Sequence, residues 1–125
     1  MGCLCSRKCH CECSEARVER FIQPCILLLL AENPAHGYDL MERLNRFGFE
    51  NGGDPAAVYR TLRKLEQDGF VISSWETTGS GPARRSYTLS EDGFDLLDAW
   101  VVRLRDHVRH IDEFLSGSRD LKSRR

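Results

Sequence analysis

A cluster of cations beside apolar and aromatic residues, between residues 54 and 71, has side chains that could bind nucleic acid. Val58, Leu62 and Leu65 recur at a spacing that buries one face of a helix. The side chains expected away from that buried stripe are polar, aromatic or cationic: Tyr59, Arg60, Thr61, Arg63 and Lys64. Arginine can form two hydrogen bonds with guanine, whereas lysine acts as a point charge toward phosphate. The stretch therefore predicts a helix that reads DNA, and its plain alternative is a solvated helix face.

A second cationic stretch, residues 77–85, follows the first. Its residues 79–82, Gly-Ser-Gly-Pro, favour a tight exposed loop, and Arg84 and Arg85 stand where that loop meets a strand. Cations in such a place contact phosphate or enter the minor groove. A cationic helix followed by a cationic hairpin is typical of winged helix-turn-helix proteins. We therefore predict a mainly α (α+β) fold, with a winged helix-turn-helix domain, a two-stranded wing and a long C-terminal helix.

Stop and cap signals delimit the elements that must position these cations. Pro34 ends a first helix because proline cannot continue the hydrogen-bond ladder. Asp54 and Pro55 suit the N-cap and the first position of the third helix, and Gly69 suits its C-terminal end. The predicted helices are residues 15–32, 38–47, 56–68 and 90–115, and the predicted strands are residues 70–72 and 86–89.

The last helix carries apolar residues at alternating steps of four and three, the a/d pattern by which helices pair. These residues are Leu97, Val101, Leu104, Val108, Ile111 and Leu115, with Trp100 near the start of the seam. A seam this long favours a homodimer over packing within the chain. The chain then divides into a cysteine-rich extension (1–15), a winged helix-turn-helix domain (16–93), a dimerisation helix (94–115) and a frayed basic tail (116–125).

The overall composition fits one ordinary globular domain. The chain has 125 residues, of which 41% are hydrophobic and 30% charged, enough for one modest core. The net charge of −1 is a weak argument against nucleic-acid binding, because the cations named above are gathered locally. The longest apolar run, residues 25–31, is too short to cross a bilayer. We expect a cytoplasmic protein without membrane contact, and no enzyme, because no catalytic triad, carboxylate pair or phosphate loop is visible.

Three segments, in this order along the sequence, carry motifs that resemble those of a known family. They contain Leu28-Leu29-Leu30 and His36-Gly37-Tyr38, then Val58-Tyr59-Arg60-Thr61-Leu62 with Gly69-Phe70-Val71, and then Gly81-Pro82-Ala83-Arg84-Arg85-Ser86-Tyr87. In order and spacing, these segments resemble the PadR family of bacterial transcriptional regulators. The resemblance implies a winged-helix domain, a homodimer joined mainly through its C-terminal helix, and repression at a palindromic operator on double-stranded DNA. It also implies that Trp100 either stacks on a flat small-molecule effector or belongs to the dimer core.

Five of the six cysteines fall within the first thirteen residues. Together with one histidine they form a candidate metal-binding set of soft ligands for Zn²⁺ or Cu(I): Cys3, Cys5, Cys9, His10, Cys11 and Cys13. Neighbouring Arg7 and Lys8 favour the reactive thiolate. Metal or redox sensing is one interpretation of this segment, and a reactive tail without a function is the other. His107 and His110 could similarly bind a metal across a dimer or be two exposed histidines.

The first six residues, Met1-Gly2-Cys3-Leu4-Cys5-Ser6, also satisfy an N-myristoylation pattern with two cysteines open to palmitoylation. Two acyl chains would anchor a eukaryotic protein to a membrane, but the rest of the chain is bacterial in character. Three hypotheses result. The leading one is a dimeric DNA-binding repressor. The second is a metal- or thiol-sensing regulator, and the least favoured is a lipid-anchored adaptor that makes protein contacts.

Overall fold

The computed structural model describes residues 21–49, 54–76 and 82–124. The first element, α1, is helical over the described residues 21–32. The other elements are β1 (Ala35–His36), α2 (Gly37–Arg43) with a 3-10 turn at Leu44–Phe47, α3 (Pro55–Gln67), β2 (Val71–Glu76), β3 (Arg84–Leu89) and α4 (Glu91–Arg124). The fold is mainly helical with a small antiparallel sheet, as the sequence predicts.

One apolar core joins the first three helices to the sheet. From α1 it takes Ile22, Ile26 and Leu27, all fully buried. The other large side chains that are almost completely buried come from α2, the 3-10 turn, α3 and β2: Leu40, Leu44, Val58, Leu62, Leu65 and Val71. The three α3 residues in that list are the ones whose spacing predicts a buried face. The core therefore holds α3 in place and leaves its other side to the solvent.

The sheet has the strand order β1-β3-β2 in the described part of the chain, with antiparallel pairing throughout. Trp75 lies opposite Arg85, and Glu76 lies opposite Arg84. Strand β1, which pairs Ala35 with Tyr87, adds a third strand to the two that were predicted. A strand of two residues is too short to show the alternating pattern of apolar and polar residues by which a strand is recognised. This short strand leads directly into α2 and ties the helix-turn-helix unit to the wing.

Local signals set both ends of α3. The Asp54 carboxylate accepts a hydrogen bond from the backbone N–H of Ala56 at 3.1 Å, and Pro55 occupies the first helical position. Gly69 follows the helix with φ of 85°, a left-handed conformation that glycine adopts without steric cost. The predicted caps of this helix are confirmed.

The final helix is longer than the sequence prediction. It continues to Arg124, so the prediction of a frayed tail after Leu115 is wrong for the residues described. Residues 118–124 contain Leu121, Lys122 and two arginines, which are good helix formers, and no proline interrupts them. At its other end α4 begins at Glu91, and its Gly93 is buried against the sheet. The predicted division between domain and dimerisation helix at residue 93 therefore falls inside α4.

Candidate nucleic-acid interface

Helix α3 presents three cations away from the core. Arg60, Arg63 and Lys64 are all exposed, while Val58 and Leu62 on the opposite side are buried. Lys64 lies 3.6 Å from Asp68 across one helical turn, in a pair exposed on both sides. Exposed pairs of this kind contribute at most about 1 kcal/mol, so a phosphate can replace the carboxylate at low cost. The predicted cationic face of α3 is therefore present and accessible.

Tyr59 and Thr61, predicted to contact DNA, also have roles within the fold. A Cβ atom placed on Gly37 would lie 2.7 Å from Tyr59 Cε1, so the Tyr59 ring packs directly on the start of α2. About two fifths of Tyr59 is exposed, which leaves part of the side chain free for another contact. The Thr61 hydroxyl donates a hydrogen bond to the Ala57 carbonyl at 2.8 Å and is half-buried. Tyr59 therefore helps to set the position of α3 against α2, whereas the Thr61 hydroxyl is bonded within its own helix.

The wing cations Arg84 and Arg85 differ sharply, because successive residues of a strand point to opposite faces. Arg85 Nη2 lies 3.3 Å from a carboxylate oxygen of Glu66 on α3. Its Nε donates to the Ser73 hydroxyl at 3.1 Å, and the same hydroxyl donates to Glu66. Arg84 is exposed and makes no hydrogen bond or ion pair with the residues that the structure describes. The sequence predicts equivalent roles for the two arginines. In the structure Arg85 is bound by Glu66 and Ser73, whereas Arg84 has no partner among the described residues and can contact a ligand.

Aromatic rings complete the surroundings of Arg85. The guanidinium carbon lies 5.7 Å from the centroid of the Trp75 ring and 6.0 Å from that of Tyr87, distances at which a cation is attracted by an aromatic face. Burial raises the pKa of Tyr87, and this effect outweighs the opposing influence of Arg85. The Tyr87 hydroxyl is therefore neutral at physiological pH, and the ring is a packing surface, as its position on the strand predicts.

His36 connects the start of α2 to the end of β2. It is the N-cap residue of α2, and its backbone N–H donates to the Asp39 carboxylate at 3.4 Å. The ring Nδ1 lies 3.2 Å from the same carboxylate, and Nε2 lies 2.6 Å from Glu76 Oε1. Burial tends to raise the pKa of Asp39, but the hydrogen bonds and charge of His36, helped by Arg43, lower it overall. His36 thus caps the start of α2, and its contact with Glu76 joins this helix to the end of β2.

Two exposed aromatic side chains near this face are missing from the sequence-predicted set. Tyr38, at the start of α2, and Trp75, on β2, are each about two-thirds or more exposed. Large aromatic side chains that remain exposed beside cations are common at binding surfaces. Only their positions in the sequence could have indicated that these side chains are exposed: Tyr38 follows Gly37, and Trp75 lies two residues before the loop of the wing.

The predicted dimer residues fall into two groups along α4. Leu97 and Trp100 pack against the core, and the Trp100 indole N–H donates to Gln23 at 2.8 Å. Beyond them Leu104 is half-buried, and the rest of the seam is between 39 and 56% exposed: Val101, Val108, Ile111 and Leu115. The helix thus starts on its own domain and then projects an uncovered apolar stripe.

The predicted Cys/His cluster, residues 3–13, lies outside the described residues. Within the described ranges no group of three or more His, Cys, Asp and Glu side chains could hold a metal, His107 and His110 included. Cys25 is buried in α1, and burial raises the pKa of its thiol to about 12. No helix among the described residues is long and apolar enough to span a membrane.

These elements define a winged helix-turn-helix protein: α2 and α3 form the helix pair, and β2 and β3 form the wing. Residues 26–99 match the transcriptional regulator PadR-like family, and the chain belongs to that family. It is 37% identical over 68 residues to the transcriptional regulator Rv3488 of Mycobacterium tuberculosis, which covers 54% of this chain and 61% of that protein. The chain spans roughly half the length of the related regulators it matches.

Solved structures show the same architecture. The transcriptional regulator TA0346 of Thermoplasma acidophilum is 28% identical, with a TM-score of 0.67 over 81% of this chain and 96% of that one. Bacillus subtilis PadR, in a structure with operator DNA, is 25% identical, with a TM-score of 0.59 over 66% of this chain and 47% of that one. The match to the PadR protein covers about half of that chain.

Proposed function

We propose that the protein is a DNA-binding transcriptional repressor that acts as a homodimer on a two-fold symmetric operator. The observation that carries this proposal is the exposed cationic face of α3, held by a buried stripe and flanked by the free Arg84 of the wing. The similar Bacillus subtilis PadR forms a complex with operator DNA, which supports the same use of the same elements here.

In this proposal α3 enters the major groove, as the second helix of a helix-turn-helix does. Arg60 and Arg63 read base edges, because a guanidinium can donate two hydrogen bonds to guanine. Lys64 exchanges Asp68 for a phosphate, and Arg84 contacts the backbone beside the groove. Tyr59 and Thr61 contribute through their exposed edges, while the Tyr59 ring also packs against the start of α2.

The uncovered stripe of α4 supports the dimer. Besides the predicted seam, Phe114 is 73% and Leu121 60% exposed. These two residues lie fourteen and twenty-one positions after Trp100, on the same heptad position, so the apolar stripe is wider and longer than the seam alone. Monomeric proteins rarely leave a contiguous apolar stripe of this length in water. A second copy of α4 covers it, and the two recognition helices then lie on the order of 34 Å apart, one turn of DNA.

The test is a gel shift with the full-length protein and a duplex that covers the promoter of its own gene. A sequence-dependent complex that weakens steeply with salt is expected, because phosphate contacts release counterions. Arg60→Ala and Arg63→Ala should each weaken specific binding by roughly 1–3 kcal/mol. Arg119→Ala removes the same charge from α4, outside the proposed interface, and should leave binding unchanged. Equal binding to an unrelated duplex, or equal losses in all three variants, would contradict the proposal.

The signal that releases the repressor is a separate matter. We propose that the Cys/His cluster of residues 3–13 is a metal- or thiol-sensing input, since five thiols and an imidazole lie within eleven residues of sequence. DNA affinity should then change with Zn²⁺, Cu(I) or oxidant in the wild type and not after serine replaces the five cysteines. An unchanged affinity in the wild type under all three conditions excludes this input without affecting the DNA-binding proposal.

A further inference from the structure

The Trp75 side chain is exposed, although the other residues on the same face of strand β2 are buried or half-buried. Along β2, Val71, Ser73 and Trp75 point to the side that faces α3. Val71 is buried, and Ser73 is half-buried and donates a hydrogen bond to Glu66 of α3. Trp75 lies one step further along the strand and is 66% exposed. Helix α3 therefore covers the first part of this sheet face and leaves the indole uncovered at its edge.

The position of the indole is set by a network that joins the wing to α3. Arg85 is the cross-strand partner of Trp75, and its guanidinium carbon lies 5.7 Å from the centroid of the Trp75 ring. Glu66 and Ser73 hold the Arg85 guanidinium at 3.3 and 3.1 Å. The hydrogen bonds fix the cation, and the cation fixes the ring, so little conformational entropy remains to be lost when the ring meets a ligand. Trp75 is therefore a preorganised aromatic surface.

The charges around Trp75 indicate which ligand fits. Arg84 and Arg85 lie on the adjacent strand, opposite Glu76 and Trp75 respectively. The carboxylate of Glu66 is engaged by Arg85, and that of Glu76 is engaged by His36. In the described part of the chain the indole N–H of Trp75, which is a donor only, has no hydrogen-bond partner. An apolar ring with an unused donor among cations is complementary to a deoxyribose and its phosphate.

We propose that Trp75 is a further contact with the DNA sugar–phosphate backbone, which extends the interface from α3 onto the inner face of the wing. This inference rests on the proposed DNA-binding function. The ring packs against deoxyribose, its N–H donates to a phosphate oxygen, and Arg85 acts as a positioning residue behind it. Arg84, on the opposite face of the strand, makes an independent phosphate contact.

Tryptophan fluorescence tests this contact directly, because the chain has two tryptophans. In the full-length Trp100→Phe variant, Trp75 is the sole emitter, and in Trp75→Phe it is Trp100. Both are titrated with the promoter duplex. Emission from Trp75 should change and saturate at the DNA concentration that saturates the gel shift. Emission from Trp100 should change much less, since its indole donates to Gln23 against the core.

Affinity measurements provide the second arm. Trp75→Ala should weaken DNA binding about five- to tenfold at every salt concentration, as expected for an aromatic contact at an interface, without altering the salt slope. Arg84→Ala should lower that slope by about one, because it removes a phosphate contact. If Trp75→Ala proves unstable, the emission of the Trp100→Phe protein still decides the question.

Three results would overturn the inference, each with a different meaning. If the wild type shifts DNA while Trp75 emission and the affinity of Trp75→Ala stay unchanged, the wing contact is absent and the DNA-binding function stands. If Trp75 emission depends on protein concentration without DNA, the ring belongs to a contact between protein copies. If the wild type does not shift the duplex at all, the proposed function fails, and this inference fails with it.

Discussion

Helices α3 and α4 are both amphipathic, yet they leave their apolar residues in opposite states. In α3, Val58 and Leu62 are fully or almost fully buried, whereas in α4 Val108 and Ile111 are about half exposed. The periodicity of the two helices predicts an apolar face in each case and does not say what covers it. For α3 the cover is the domain core. For α4 no other element among the described residues covers the apolar stripe, which is why we propose that a second copy of the chain does so.

The first turns of α4 are packed against the domain, and the exposed apolar stripe begins after them. A Cβ atom on Gly93 would lie 2.2 Å from the Phe70 carbonyl oxygen, so glycine allows α4 to pack tightly against the end of the α3–β2 segment. Leu97 and Trp100 extend this contact before the helix leaves the domain. Movement of one α4 relative to its partner would thus be transmitted to the whole domain, and through it to the spacing of the recognition helices.

The largest expected effect comes from the buried stripe. Leu62→Ala should lower the free energy of unfolding by about 2–5 kcal/mol, because it leaves a cavity in the core. The matched control is Val108→Ala on the exposed stripe, compared by chemical denaturation at a protein concentration at which the chain is monomeric. There it should change the unfolding free energy by less than about 0.5 kcal/mol. Similar losses for both variants would remove the distinction between the two helices.

The next effect separates assembly from folding. Val108→Asp combined with Ile111→Asp places charges on the exposed stripe and should abolish the dimer while the monomer keeps its helical content. Light scattering and circular dichroism measure these two outcomes. DNA affinity should fall about a hundredfold, since one recognition helix then binds without the second. Arg109→Asp, on the same helix outside the predicted seam, changes the net charge by the same two units and is the control, and a dimer that survives the first pair contradicts the assignment.

The two wing arginines should differ in kind. Arg84→Ala is expected to lower the salt dependence of DNA binding and leave thermal stability unchanged. Arg85→Ala should lower the free energy of unfolding by about 0.5–1 kcal/mol, a modest value because its pair with Glu66 is partly exposed. Thermal denaturation measures the stability of each variant, and a salt titration measures the salt dependence of its DNA binding. Identical profiles would show that the Glu66–Arg85 contact does not distinguish them.

A pH-dependent effect comes from the buried thiol of α1. The folded-state pKa of Cys25 is raised from 9.0 to about 12, so the thiol ionises more easily in the unfolded chain. Its stabilising contribution is complete below pH 9 and is lost as the pH rises from 9 toward 12. At pH 10 the loss is about 1 kcal/mol. The difference in unfolding free energy between wild type and Cys25→Ala should narrow over this range, and a constant difference would refute the prediction.

Much of the candidate interface follows from short-range signals. The caps at Asp54 and Gly69 and the apolar spacing of Val58 and Leu62 define α3 without reference to the rest of the chain. They therefore also predict which cations it exposes. The end of α4 could not be predicted locally, because residues 116–124 mix good helix formers with three serines, an aspartate and a glycine.

Contacts between distant segments could not be predicted in this way. Glu66 and Arg85 are nineteen residues apart, and His36 and Glu76 are forty. No local pattern encodes which carboxylate a given cation meets, because that depends on the register of β2 against β3 and on the packing of both against α3. Sequence alone thus determined the elements, their faces and the cations available for DNA. Only the tertiary structure decided that Arg85 is held by the fold, that Arg84 has no partner among the described residues and that Trp75 is left uncovered.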